Sequence, residues 1–175
     1  MDGRDKLIIQ THFSLVWWAE SLTSDYFQGS SFKNTPFTDI FVHGRLMQPG
    51  EAAASLIAPS LYVALVLPKE TIFERYEDDF KEIDKFIADN ATVSENTYPA
   101  ANPFPFTKHL RNATAHARIS ITNSGIEFED EFKNKKTNKN QYLKAAIDFQ
   151  TLGSVIQQLQ LLLRKHVSYL QAAND

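Results

Sequence analysis

Four side chains within eight residues hold the densest usable chemistry of this chain: His109, Arg111, Asn112 and His116. An imidazole titrates near neutral pH, so it can take a proton and return it. A guanidinium stays charged and forks onto phosphate or carboxylate oxygens. A carboxamide can hold either group without titrating. Together they suit proton transfer beside an anion whose charge grows in a transition state. They are poor metal ligands: His109 and His116 are seven apart, a third ligand is missing nearby, and no metal is expected.

These residues must be carried by a helix that begins near Phe104–Thr107. At about 100° per residue, Phe106, Leu110, Ala113 and Ala117 form an apolar stripe. His109, Asn112 and His116 fall within about 60° of one another beside that stripe. Arg111 lies roughly 140° from His116 on an ideal helix. The two could meet only through the long Arg side chain, a local distortion, or a second copy of the protein.

Beyond Ala117 the period changes to alternation. Ile119 and Ile121, the turn Asn123-Ser124-Gly125, then Ile126 and Phe128 predict a hairpin, and Tyr142–Ile147 a third strand. Asp148 suits an N-cap for a last helix running to about Leu170, with Leu152, Val155, Ile156, Leu159, Leu162, Leu163 and Val167 on its core face. Before the motif, helices are expected at Asp5–Phe27, from Gly50 or Glu51 to Leu67 with a kink at Pro59, and at Lys69–Ala88. The acidic residues of the last of these, Glu74, Glu77, Asp78, Asp79, Glu82 and Asp84, read as a solvated face. Residues 29–50 read as a packed connector with one short helix near Thr38–His43, and His43 as a structural histidine. Asp89–Pro105 reads as a linker.

The fold class is therefore mainly α: a bundle of four to five helices with a small hairpin or three-strand insertion before the last helix. At 175 residues one domain is expected, with residues 103–172 carrying the motif helix, hairpin and last helix, and 1–100 the N-terminal helices and connector. With 43% hydrophobic residues and 13 Phe it can bury a core. It has no cysteine, so disulfides, zinc thiolates and a cysteine nucleophile are excluded, and a cytoplasmic protein is expected. Neither a signal peptide nor a membrane span is read. Residues 1–100 hold 8 Lys and Arg against 15 Asp and Glu, a net of −7; residues 101–175 hold 10 against 6, a net of +4. Any anionic partner should thus meet a local site rather than a broad basic face. The basic run Lys133–Asn140 reads as a solvated tip.

Arg111-Asn112-Ala113-Thr114-Ala115-His116 resembles the Arg-x(4–6)-His signature of the HEPN (higher eukaryotes and prokaryotes nucleotide-binding) superfamily, with the polar residue that often follows the Arg present as Asn112. The context, a motif helix, a strand-like stretch and a closing amphipathic helix, looks most like the small plasmid- and phage-associated bacterial members. The resemblance implies a metal-independent endoribonuclease that uses no cofactor and leaves a 2′,3′-cyclic phosphate. His116 would deprotonate the 2′-hydroxyl or protonate the 5′-oxygen, Arg111 would offset charge on the phosphate, and Asn112 would assist. Lys108, His109 and Arg118 are the expected RNA contacts. It also implies a symmetric homodimer with two Arg and two His in one cleft, which would bring Arg111 and His116 to one substrate. Expected partners are RNA, a second copy, and an antitoxin or other protein. The alternative is a non-catalytic HEPN module that binds RNA or nucleotides, or serves as a protein partner.

Overall fold

A computed structural model of the chain describes residues 3–134 and 138–173. It divides into two compact units, Met1–Ser60 and Leu61–Asp175. The chain is mainly helical, with a small four-stranded antiparallel sheet. Eight α-helices are found among the described residues, where four to five were expected. The excess comes from short helices in the connector and from a break at Tyr76. Among the described residues no single helix is long and apolar enough to cross a membrane.

In the first unit, α1 (Gly3–Thr23) leads through a 3-10 turn at Tyr26–Gln28 into α2 (Ser30–Lys33) and α3 (Ile40–Leu46). Phe27, Phe32 and Ala52 form a buried cluster, with Trp18, Leu22, Leu46 and Met47 packed against it. Trp18 stacks on Phe27 at 5.2 Å, and Phe27 meets Phe32 edge-on at 5.0 Å. His43 stays within this cluster: its Nε2 lies 2.9 Å from the Phe32 carbonyl and its ring stacks on Phe37. Its role is structural, as its loop-like setting suggested. Helix α4 (Glu51–Leu61) holds Pro59 and runs on into a π turn at Tyr62–Val66, where Leu67 N donates to Tyr62 O.

The second unit builds the site. The single helix expected over Lys69–Ala88 is two, α5 (Lys69–Arg75) and α6 (Glu77–Asn90), because the backbone of Tyr76 leaves helical geometry (φ −121°, ψ 37°). The linker is also only partly a linker. Thr92–Asn96 form strand β1, whose residues are all exposed and so lack the apolar alternation that marks a strand in sequence. Then come α7 (Phe106–Ala115), β2 (Ile119–Ile121), β3 (Gly125–Asn134), β4 (Lys139–Asp148) and α8 (Phe149–Ala172). Of the basic run Lys133–Asn140, residues 135–137 lie outside the described residues. The sheet order is β1-β4-β3-β2. Asp148 caps α8 as expected: its Oδ1 accepts from Thr151 N at 2.8 Å and its Oδ2 from Thr151 Oγ at 2.8 Å.

Side chains alternate along β3 and β4. Ile126 and Phe128 of β3, with Leu143, Ala145 and Ile147 of β4, face inward and are buried. Helix α7 packs on β3, on α6 and on the π turn, while α8 packs on β3, β4 and α6. The β2–β3 hairpin pairs Ile119 with Phe128 and Ile121 with Ile126. Its exit glycine sits against the neighbouring strand: a Cβ built on Gly125 would stand 2.0 Å from the Ile147 carbonyl oxygen and 2.6 Å from Asp148 Cα. Gly125→Ala should therefore push β3 off β4. The expected loss is about 2 kcal/mol or more, read as a lower urea midpoint at unchanged slope.

Candidate active site

Helix α7 is started by a residue from another helix. Pro105 precedes it and provides no side-chain cap, so Asp84 of α6 fills that role: Thr107 N–H donates to Asp84 Oδ1 at 2.6 Å. Asp84 was expected on the solvated acidic face, but it is buried. Burial pushes its carboxyl up, partly countered by the Thr107 hydrogen bonds.

The helix ends two residues earlier than its apolar stripe predicts. Phe106, Leu110 and Ala113 are buried, but Ala117 is exposed and lies in the left-handed region at φ 54°. Arg118 N bonds Ala113 O at 2.8 Å and Ala117 N bonds Thr114 O at 3.2 Å, which is a Schellman closure with an alanine where glycine is usual. Ala117→Gly should relieve this Cβ strain and raise stability by about 1 kcal/mol, checked by thermal or urea unfolding. The closure makes His116 the C-terminal cap residue, and its side chain is exposed.

Between these ends, α7 points its polar residues at one buried carboxylate. Asp130 continues the inward face of β3 after Ile126 and Phe128, and only 3% of it is exposed. Three groups converge on its Oδ2: His109 Nδ1 at 2.7 Å, Asn112 Nδ2 at 3.1 Å and Tyr98 Oη at 3.2 Å. Burial opposes ionisation of Asp130, but the bonds from His109, Asn112 and Tyr98 outweigh it and hold the carboxyl below its ordinary range. With Asp130 ionised, His109 Nδ1–H donates to it. The His109 ring stacks on Phe104 at 5.0 Å and tilts against Tyr98 at 4.4 Å. Burial and the Asp130 charge push the Tyr98 hydroxyl well up, so it donates throughout the working pH range.

Arg111 joins this network indirectly. Its Nη2 donates to Asn112 Oδ1 at 2.8 Å, and its guanidinium lies 5.4 Å from the Phe73 ring centre. Burial lowers its pKa while the Asp130 charge partly restores it. It is half-buried and forms no ion pair among the described residues.

The expected site residues therefore separate. His109, Asn112 and, through Asn112, Arg111 are joined on Asp130. Lys108 lines the same cavity as His109 and Asn112, with its side chain exposed. His116 stands at the helix end outside the network. Arg118 lies beyond the closure, with its Nη1 4.0 Å from Glu131. Asp130 and Tyr98 were missed from sequence. Asp130 did carry a signal, as a charged residue in register with Ile126 and Phe128 on a face that alternation assigns to the core. Tyr98 carried none. No group of three or more His, Cys, Asp or Glu among the described residues could hold a metal ion.

A mainly helical chain with Arg, a polar residue and His on one capped helix has the makings of a HEPN module. The match is direct: the family described as HEPN pEK499 p136 aligns with residues 20–170. The chain belongs to this plasmid-associated family and so to the HEPN superfamily. No curated protein and no solved structure matches it. HEPN membership points to a nuclease or nucleotide-binding module.

Proposed function

We propose that the protein is a metal-independent endoribonuclease that acts as a symmetric dimer, in the setting of a toxin or defence system of the cytoplasm. The observation that carries this reading is the state of Arg111. It is half-exposed, outside any ion pair among the described residues, and oriented by Asn112 on the same helix that ends in exposed His116. A cation committed to a buried carboxylate could not serve a phosphate; this one is steered by a neutral amide and keeps donors to spare.

Within one chain Arg111 turns toward Phe73 and Asn112, whereas His116 caps the helix end. Two copies related by a two-fold axis would give each phosphodiester an arginine and a histidine. His116 would then move a proton at the 2′-oxygen or the 5′-oxygen, and Arg111 would bind the non-bridging oxygens as their charge grows. RNA, a second copy and an antitoxin-type protein are the partners of this reading.

The test is cleavage of single-stranded RNA in EDTA, with the product ends examined. A 2′,3′-cyclic phosphate formed without added metal is expected; cleavage that EDTA abolishes would end the proposal. A second reading is a non-catalytic RNA- or nucleotide-binding module. In its favour, His109 and Asn112 direct polar atoms to Asp130. That reading expects salt-sensitive binding without turnover.

A further inference from the structure

Next to Asp130 the second unit encloses a cavity of about 340 Å³, lined among others by Phe104, Lys108, His109, Asp130, Phe132 and Gln141. That lies within the size range of small-ligand sites. The reading above leaves it without a task, since neither Arg111 nor His116 lines it.

Its chemistry is specific. All three donors to Asp130 bond Oδ2; among the described residues Oδ1 accepts no hydrogen bond. Asp130 lines the cavity, so its carboxylate keeps lone pairs for a donor offered from that side. The walls are aromatic. Phe104, half-buried and backed by the His109 ring, offers one aromatic surface, and the Phe132 ring, 53% exposed, offers another. Gln141 brings an amide that both donates and accepts. A cationic amine is disfavoured, because Asp130 Oδ2 already draws three donors and the Lys108 cation lines the same cavity. What remains is a flat, neutral heterocycle with an N–H edge, attached to an anion that Lys108 can meet.

We infer that this cavity is a base-reading subsite that takes one unstacked RNA base with an N–H donor edge, guanine best and uracil worst. Guanine presents a ring N–H beside an amino group, whereas uracil flanks its single N–H with two carbonyls that would face the carboxylate. Unstacked bases are read in this manner, by aromatic stacking and by hydrogen bonds to their Watson–Crick edge. The inference rests on RNA being the substrate class, and it assigns the preference to a different set of side chains from those that would cleave.

The experiment is calorimetric titration of the His116→Ala chain with 5′-GMP and 5′-UMP, so that binding is read without turnover. Saturable GMP binding is expected, with UMP weaker by about tenfold or more. Phe132→Ala and Gln141→Ala, at exposed and half-exposed positions on β3 and β4, should each weaken GMP by about tenfold with the unfolding midpoint unchanged. Equal affinity for the two nucleotides, no GMP binding, or binding indifferent to both substitutions would overturn the inference. The two proposals fail separately. RNA cleavage that needs His116 but ignores Phe132 and Gln141 removes only the subsite. GMP binding of this pattern in a chain that cleaves nothing removes only the nuclease.

Discussion

His116→Ala should lower RNA cleavage by about 10²- to 10⁴-fold while leaving the unfolding midpoint where it was. The rate effect is the range for removing a positioned proton-transfer group. Stability should hold because the imidazole is exposed at the end of α7 and the closure there is made by backbone bonds of residues 113–118, which alanine keeps. Arg111→Ala should cost about 10²- to 10³-fold, the scale of losing one preorganised charge donor. Arg111→Lys should recover little, since an ammonium cannot fork onto a phosphate while bonding Asn112. Mixing the two inactive variants gives a further readout. If each phosphodiester draws Arg111 from one copy and His116 from the other, a mixed dimer regains one intact site and activity returns in part. Cleavage indifferent to both substitutions would sink the assignment.

Asp130→Ala should damage the fold of the second unit severely, costing about 3 kcal/mol by urea unfolding. The carboxylate is the common acceptor for His109, Asn112 and Tyr98, and its loss strands the buried His109 donor and two part-buried ones at once. The effect depends on pH, and its sign follows from the direction of the shift. The folded-state carboxyl titrates below its unfolded value of about 3.9. Its contribution is therefore complete above that value and is lost as pH falls through the folded one. Stability measured downward from pH 5 should show a steeper acid limb in the natural chain than in Asp130→Asn, where no carboxyl titrates at this position. Matching acid limbs in the two chains would mean that Asp130 is not held ionised by its neighbours.

Much of the second half of the fold could be read from sequence because its signals are local. The change of period after Ala117, the Asn123-Ser124-Gly125 turn and the Asp148 cap each act within a few residues, and each element formed where expected. The misses are non-local. Strand β1 exists because the edge of β4 accepts it, not because Thr92–Asn96 alternate. Asp84 is buried because the start of α7 needs an acceptor that Pro105 cannot supply. At the site, spacing placed His109 and Asn112 on one flank, and they do share a partner. Helical spacing also put His116 on that flank, but the left-handed Ala117 ends the helix first, which no periodicity reveals. The Arg-Asn pair was legible as a motif; that its amide is a hinge between Arg111 and a buried carboxylate was not.

The two margins of the sheet bear on how copies of this chain could assemble. One is β1, five residues long, with its register shifted between Val93 and Glu95; the other is β2, only three residues before the turn. Short and irregular borders offer too little unsatisfied backbone to template a fifth strand from a neighbour. Self-association by ribbon continuation is thereby discouraged, so the dimer proposed above would have to form through side chains rather than by extending the sheet.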